Sequence, residues 1–168
     1  LFDFGYFKLE ADFAEQMLGL FTPIPESDFH ISEYFSDIDL FSFSGYPHRK
    51  SRCYELKAKT EMYSYNCIHA THKEYNEFKC TPGKQILAKF NRKNSIDAKS
   101  LIKQIPPLPH GISGGGIFYW PMDMTEIPPN NRKLAGIGHT YNQSKGIFIG
   151  TNLIVFLNVI LFNNENFK

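Results

Sequence analysis

The sequence carries little net charge and few cysteines. Its 18 Lys and Arg residues oppose 17 Asp and Glu residues, for a formal net charge of +1. This balance provides no field of one sign to hold nucleic acid or an anionic membrane surface, so neither partner is expected. The three cysteines, Cys53, Cys67 and Cys80, are an odd number in a chain large enough to fold without disulfides. This usage favours a reducing, cytoplasmic location.

The sequence also lacks a clean apolar run of the roughly 20 residues that a membrane-spanning helix requires. The apolar stretch 146–162 is interrupted by Gly150, Thr151, Asn152 and Asn158. We therefore expect a strand followed by a packed helix in this region, and no membrane span.

Valine is limited to Val155 and Val159, so any strands must be built from Ile, Phe and Tyr, which also favour β structure. The chain has 16 Phe and 9 Tyr, and 42% of its residues are hydrophobic, enough for the core of one domain. Short apolar runs between Gly, Pro and polar residues predict strands at 41–44, 52–58, 62–68, 85–90, 117–120, 134–141 and 146–150. So many short strands predict an all-β, mainly antiparallel fold.

Helix is predicted mainly near the two ends of the chain. Asp12, with Glu15 three residues later, is expected to cap a short helix over 12–18. Asn152 is expected to cap an apolar C-terminal helix, and residues 72–79 to form a further helical turn. The proline-rich segment 106–109 predicts an extended stretch on the surface, because proline has no backbone donor.

The strongest chemical signal is the turn Gly111-Ile112-Ser113-Gly114-Gly115-Gly116. A serine hydroxyl can attack a carbonyl when it protrudes from a tight turn and backbone N–H groups face the developing oxyanion. Glycine adopts backbone angles that are closed to other residues, so Gly111 would let its N–H and that of Ser113 converge. Ser113 is therefore the predicted nucleophile, and Gly111 and Ser113 are the predicted oxyanion donors. A flexible glycine turn with an incidental serine is the alternative.

This turn resembles that of the chymotrypsin-like (trypsin-like) serine peptidases, whose nucleophile lies in a Gly-x-Ser-Gly-Gly turn followed by a strand. The runs 86–93, 109–116 and 134–138 are similar to a group of bacterial trypsin-like peptidase domains. The resemblance implies a double β-barrel, with 1–40 as the end of the first barrel and the crossover, 41–151 as the second barrel and 152–162 as the C-terminal helix. It implies an endopeptidase that acts on extended polypeptide and uses neither metal nor cofactor.

The order of catalytic residues in that family is His, Asp, Ser, and the aspartate heads a strand. The run Asp3-Phe4-Gly5-Tyr6-Phe7 resembles that strand, so the resemblance implies that Asp3 is the triad aspartate. Asp3 would hold the imidazole in one tautomer and stabilise the imidazolium. The histidine should precede Asp3, so we expect it upstream of this sequence and expect the chain alone to have little or no activity.

The resemblance also assigns residues 134–141 to the strand that flanks the substrate. His139, Thr140 and Tyr141 would then shape the substrate pocket, and the alternative role for His139 is that of the base beside Asp3.

Two further expectations concern three other histidines and Ile112. His30, His48 and His110 are expected to be solvated. Ile112 stands where many secreted members carry an aspartate that pairs with a newly cut N-terminus, so that route of activation is not expected.

Other functions compete for the same residues. The turn also fits the Gly-x-Ser-x-Gly elbow of α/β-hydrolases, with Asp123 and His139 after the serine, although the prolines before it and the strand-like run after it argue against that fold. A noncatalytic pseudopeptidase would bind an extended segment in the same groove by strand addition. A zinc site is a weaker interpretation of Cys67, His69, His72 and Cys80, which are expected to be core cysteines and surface histidines. A lipid or nucleic-acid site is likewise a weaker interpretation of the basic cluster, which is expected to be a solvated face and consists of Lys89, Arg92, Lys93 and Lys99.

Overall fold

The computed structural model describes residues 6–48, 51–54, 57–97, 100–121 and 131–164. Within these ranges the chain forms eight strands and three α-helices. The strands are β1 Leu40–Gly45, β2 Ser51–Tyr54, β3 Lys57–Thr60, β4 Tyr63–His69, β5 Gln85–Lys89, β6 Gly116–Trp120, β7 Lys133–Asn142 and β8 Ile147–Asn152. The helices are α1 Ala11–Leu20, α2 His72–Glu77 and α3 Leu153–Asn163.

Six of these strands close into an antiparallel barrel in the order β1-β4-β5-β8-β7-β6. The mainly antiparallel β class predicted from the sequence is therefore confirmed, together with the C-terminal helix, which packs against β7 and β8. One strand prediction is wrong. The run 52–58 is split between β2 and β3, which form a separate two-stranded hairpin, because the chain turns back between Tyr54 and Lys57.

Alternating aromatic side chains fill the barrel. Phe41 and Phe43 of β1 and Tyr65 of β4 point inward and are at most 2% exposed. The Phe43 ring stacks on Phe148 of β8 with centroids 4.5 Å apart, and Tyr65 meets Phe148 at 5.6 Å. Ring pairs of this kind stabilise a core beyond their buried area. The barrel interior is therefore an aromatic cluster rather than the valine-rich core common in β proteins.

All neighbouring strands of the barrel are antiparallel, so the strand directions define its two ends. One end, called the serine end below, contains the last residues of β1, β5 and β7 and the first residues of β4, β6 and β8. The opposite end contains the first residues of β1, β5 and β7 and the last residues of β4, β6 and β8. Ser113 precedes β6 by three residues, so it belongs to the first of these ends.

The opposite end is closed by a buried polar network. The Tyr75 hydroxyl of α2 accepts the Leu87 N–H at 3.0 Å and lies 3.0 Å from His69 Nε2. His69 Nδ1 lies 3.1 Å from the Ser36 carbonyl, which can only accept, so Nδ1 carries a proton and donates. His69 is 9% exposed, and the prediction that it is a surface histidine is wrong, since it shares the inward face of β4 with Cys67.

The segment before β1 runs along this end of the barrel. The His30 N–H donates to the Leu134 carbonyl at 2.8 Å, and the His30 ring stacks on Tyr119 with centroids 4.0 Å apart. His30 is half-buried, so the prediction that it is solvated is wrong. The Asn152 side chain donates to the Ser32 carbonyl at 2.7 Å and so ties this segment to the start of α3.

Helix starts follow the predicted caps in part. The Asn152 side chain accepts the Ile154 N–H at 3.1 Å, which confirms it as the cap of α3. The predicted cap at Asp12 is wrong, because α1 begins at Ala11 and Asp12 lies within its first turn. No helix within the described residues combines the length and the apolar character that crossing a bilayer requires.

Close packing between strands requires glycine at position 150. A Cβ there would lie 2.5 Å from the Ile137 carbonyl oxygen and would overlap the Ile117 side chain. We expect Gly150→Ala to lower the free energy of unfolding by about 2 kcal/mol or more through overpacking. Gly19→Ala is the control, since no atom lies within 4 Å of the new Cβ and alanine favours the helix. Urea denaturation measures both, and equal stabilities would contradict the barrel packing.

Acid should destabilise the fold through its buried histidines. Burial lowers the pKa of His30 and of His69 from 6.5, so the folded chain binds fewer protons than the unfolded chain below that value. Stability from these groups is then complete above pH 6.5 and is lost as the pH falls toward their folded pKa values.

The His30→Phe variant tests this expectation, because it keeps a ring against Tyr119 and removes one titrating group. We expect it to lose less stability than the native chain between about pH 7.5 and about pH 5.5, measured by urea denaturation. Parallel losses in the two proteins would show that His30 does not contribute.

Candidate functional site

Ile112 anchors the serine turn in the barrel. Its side chain is 8% exposed and lies in the core beside Gly45, where a Cβ would come within 2.7 Å of it. Because Ile112 points inward, its two neighbours Gly111 and Ser113 are exposed. The side chain of Ile112 therefore holds the turn by packing in the core.

Two glycines give the turn its shape. Gly111 has φ +87° and Gly114 has φ +86°, in the left-handed region that other residues avoid. Gly111 also packs closely against His48, because a Cβ on Gly111 would lie 3.0 Å from the His48 backbone nitrogen. The His48 N–H donates to the His110 carbonyl at 2.7 Å, so the chain after β1 supports the turn from outside.

The segment that leads into the turn is packed rather than exposed. Pro106 and Pro109 are buried, so the prediction of a surface segment over 106–109 is wrong, although the segment is extended. The Ile112 N–H donates to the Pro109 carbonyl at 3.3 Å, which fixes the entrance of the turn.

A pair of backbone hydrogen bonds attaches the turn to β7. The Gly114 N–H donates to the Gly138 carbonyl, and the Gly138 N–H donates to the Gly115 carbonyl, both at 2.8 Å. The pairing of β7 with β8 shifts between Gly138 and Thr140, so His139 is the extra residue of a β-bulge. Ser113 directly precedes Gly114, and His139 directly follows Gly138. The hydrogen bond between these two glycines therefore brings Ser113 and His139 into the same region.

The amides of the turn fall into two groups. The N–H groups of Ile112, Gly114 and Gly115 all donate to backbone carbonyls. In the described part of the chain, the N–H groups of Gly111 and Ser113 donate to no protein atom. These are the two amides predicted as oxyanion donors, and they are the two available to an external acceptor.

Ser113 has no imidazole as a hydrogen-bond partner among the described residues. Its side chain is exposed, and its hydroxyl makes no hydrogen bond there. His48 and His110 are exposed beside the turn, as predicted, whereas His30 and His69 lie at the opposite end of the barrel. The predicted triad aspartate, Asp3, lies outside the described residues.

The three predicted pocket residues follow the glycine contact along β7. His139 Nδ1 lies 2.8 Å from Thr140 Oγ1, and partial desolvation lowers the pKa of this imidazole from 6.5. Tyr141 is half-buried, with its ring 4.6 Å from that of Phe148, and burial raises the pKa of its phenol. His139 and Thr140 are exposed, and the ring of Tyr141 packs against the core. This part of β7 therefore presents two polar side chains followed by an aromatic one.

Sequence reasoning missed two residues that share this end of the barrel. Tyr65 is buried, yet its hydroxyl has no hydrogen-bond partner among the described residues. Arg92 is predicted to lie on a solvated face, but it is half-buried and its Nε donates to the Pro106 carbonyl at 2.8 Å. The alternation of Tyr63 and Tyr65 in the sequence could have indicated that Tyr65 points inward. No residue near Arg92 in the sequence indicates its contact with Pro106.

The two competing sites find little geometric basis. Among the described residues, no three His, Cys, Asp or Glu side chains gather to hold a metal ion. The Cys67 thiol instead donates to the Tyr65 carbonyl at 3.2 Å within the core. An α/β-hydrolase elbow needs a parallel strand before the serine and a helix after it. Here an extended proline segment precedes Ser113, and the antiparallel strand β6 follows it.

No protein-family model matches this chain, and no curated protein shows significant sequence similarity to it.

The shape of the turn can be tested with its two left-handed glycines. Alanine at either position should cost about 1 kcal/mol or more for the backbone angle alone. Gly111→Ala also presses on His48, whereas no atom lies within 4 Å of a Cβ at position 114. We therefore expect Gly111→Ala to destabilise the chain more than Gly114→Ala in urea denaturation. A larger effect at position 114 would contradict this packing of the turn.

Proposed function

We propose that Ser113 is the nucleophile of a trypsin-like serine peptidase and that this chain contains the second barrel of its double β-barrel. The observation that carries the proposal is that two amides of the turn, those of Gly111 and Ser113, are available to an external acceptor. Of five consecutive N–H groups, those of Gly111 and Ser113 make no hydrogen bond within the described residues, while the other three are used to hold the turn. Two available amides beside an exposed serine are the donors that an oxyanion hole requires.

The fold around the serine supports the same reading. The turn leads directly into β6 of a closed antiparallel barrel, and the chain ends its barrel with α3 packed on β7 and β8. These are the surroundings that the resemblance to trypsin-like peptidases implies. The antiparallel strand after Ser113 favours this family over an α/β-hydrolase esterase.

The chemistry follows from the exposed hydroxyl and the available amides. Ser113 Oγ would attack the scissile carbonyl of an extended polypeptide while a general base removes its proton. The oxyanion that forms would accept hydrogen bonds from Gly111 and Ser113. The same base, now protonated, would give its proton to the departing amine, and water would then release the acyl group from Ser113. His139, Thr140 and Tyr141 would line the path of the substrate.

We further propose that the general base comes from polypeptide preceding Leu1 and that Asp3 orients it. Among the described residues no imidazole is bonded to Ser113, so the base has to be brought to the turn. The segment before β1 exposes large apolar side chains, including Phe7 at 91% and Leu20 at 76%. Apolar surface on this scale marks an interface, and a first barrel would cover it.

A second candidate function is a noncatalytic peptide-binding module of the same fold. The observation that favours it is the absence of a base at Ser113 within the described part of the chain. Such a protein would use the groove along the serine end to bind an extended segment and would leave it intact.

A fluorophosphonate probe separates the two functions. In the natural protein at full length, we expect the probe to label Ser113 and the labelling to disappear in Ser113→Ala, measured by mass spectrometry. Ser144→Ala is the matched control, because Ser144 is also exposed near this end of the barrel and donates only to Asn142. The control should label like the native protein.

Lack of labelling in the folded full-length protein would overturn the peptidase proposal and leave the binding module. In the 168-residue chain alone we expect labelling slower by several orders of magnitude, because a general base typically contributes that much to the rate.

A further inference from the structure

The serine end of the barrel carries a second group of polar side chains. Tyr63 and Tyr65 begin β4, Arg92 follows the end of β5, and Tyr141 lies near the end of β7. By strand direction, all four residues lie at the same end of the barrel as the serine turn. The rings of Tyr65 and Tyr141 both contact Phe148, with centroids 5.6 Å and 4.6 Å from it. We expect a side chain of a peptide bound at Ser113 to reach this group.

Tyr65 contributes a buried donor that has no acceptor in the described part of the chain. It is 1% exposed, and its ring centroid lies 5.3 Å from that of Phe90 and 5.6 Å from that of Phe148. Its hydroxyl makes no hydrogen bond to any described residue. Leaving such a group unpaired typically costs about 1–3 kcal/mol, so proteins rarely do so without a reason. Burial raises the pKa of this phenol, so the hydroxyl stays protonated at neutral pH and can donate.

Arg92 contributes a cation that has no counter-ion among the described residues. Its side chain is half-buried, and its one hydrogen bond to a described residue joins Nε to the Pro106 carbonyl. Within the described part of the chain, no carboxylate lies within 4.0 Å of its guanidinium. The neighbouring Lys89 differs, because it pairs with Glu74 at 2.6 Å. The guanidinium therefore keeps four N–H donors for another partner.

The charge of Arg92 reaches both tyrosines of this group. It favours ionisation of the Tyr65 and Tyr141 phenols, against the larger effect of their burial, which raises both pKa values. Its anchor, Pro106, begins the extended segment that leads through Pro109 to the serine turn. Arg92 is thus held against the segment that leads into the serine turn.

We propose that Arg92, Tyr65 and Tyr141 form a specificity pocket for an acidic side chain, so that the substrate residue at the cleavage site is glutamate or aspartate. The inference rests on the proposed function of Ser113. The guanidinium can only donate, and the two phenols can donate as well, so the group that satisfies all three must be an acceptor. A carboxylate matches the geometry of a guanidinium and neutralises its charge, whereas an amide or a lysine side chain does not.

The test uses a pair of peptidyl diphenyl phosphonates that differ only in carrying glutamate or glutamine next to the phosphorus. In the labelling step, Ser113 Oγ forms a bond to phosphorus, a phenoxide leaves, and the serine proton passes through the base to give phenol. With the full-length protein we expect the glutamate probe to label roughly tenfold to a hundredfold faster, the range that charge-assisted hydrogen bonds supply.

Three variants assign this preference to the pocket. Arg92→Gln should abolish it, so that the two probes label at equal rates, because the variant cannot pair with a carboxylate charge. Tyr65→Phe should reduce the preference without lowering stability, since it removes only an unpaired hydroxyl. Lys93→Gln is the matched control, an exposed cation in the same 3-10 turn, and it should behave like the native protein. Thermal denaturation confirms that each variant is folded.

The outcomes separate this inference from the proposed function. Labelling of Ser113 with equal rates for the two probes, or a preference that survives Arg92→Gln, would overturn the acidic pocket and leave the peptidase intact. If no probe labels Ser113, calorimetric titration with blocked peptides carrying the same glutamate or glutamine decides. Binding of the glutamate peptide that is lost in Arg92→Gln would support the pocket in a binding module. Equal or absent binding would overturn it.

Discussion

The arrangement of the serine turn depends on its attachment to β7. Gly138 receives the Gly114 N–H and returns its own N–H to Gly115, and Ile112 fills the core immediately before this contact. Together these interactions fix a turn whose outer residues, Gly111 and Ser113, are exposed. Without them the exposed serine would belong to a loop with many conformations, and ordering that loop would cost conformational entropy.

The glycines follow from this attachment. A Cβ on Gly115 would overlap the Ser44 carbonyl of β1, and one on Gly138 would lie 3.0 Å from the Phe43 ring. The turn is therefore wedged between β1 and β7, and its backbone comes closer to both strands than any side chain would allow. Gly111 and Gly114 serve another purpose, because they supply the left-handed angles that reverse the chain. Close approach and chain reversal are separate demands that one glycine-rich motif meets.

Local patterns predicted the parts of the structure that local forces decide. The alternation of Phe41-Ser42-Phe43-Ser44 specifies one inward face, and β1 has that face in the core. The sequence predicts one strand over 52–58, where the structure has the hairpin of β2 and β3. Neither strand of the hairpin has enough apolar residues to show where one ends and the next begins.

Tertiary contacts decided the remaining features. The missing donor of a proline indicates an extended backbone, but it does not indicate whether the ring is buried, as Pro109 is. Arg92 looked like one of several surface cations because its partner, the Pro106 carbonyl, lies 14 residues away along the chain. Both cases concern segments without regular secondary structure, where spacing carries little information on neighbours.

The two ends of the barrel treat polar groups in opposite ways. At the end near β1 Leu40, His69 and the Tyr75 hydroxyl are both bonded, to each other and to the backbone at Ser36 and Leu87. At the serine end, groups of several kinds are without partners in the described residues: two amides, a serine hydroxyl, a buried phenol and most of a guanidinium. Water can reach the exposed amides and the serine hydroxyl, whereas the Tyr65 phenol is buried, and native proteins leave few buried polar groups unsatisfied. Because both ends belong to one barrel, this contrast is the physical reason for proposing a function at the end that contains Ser113.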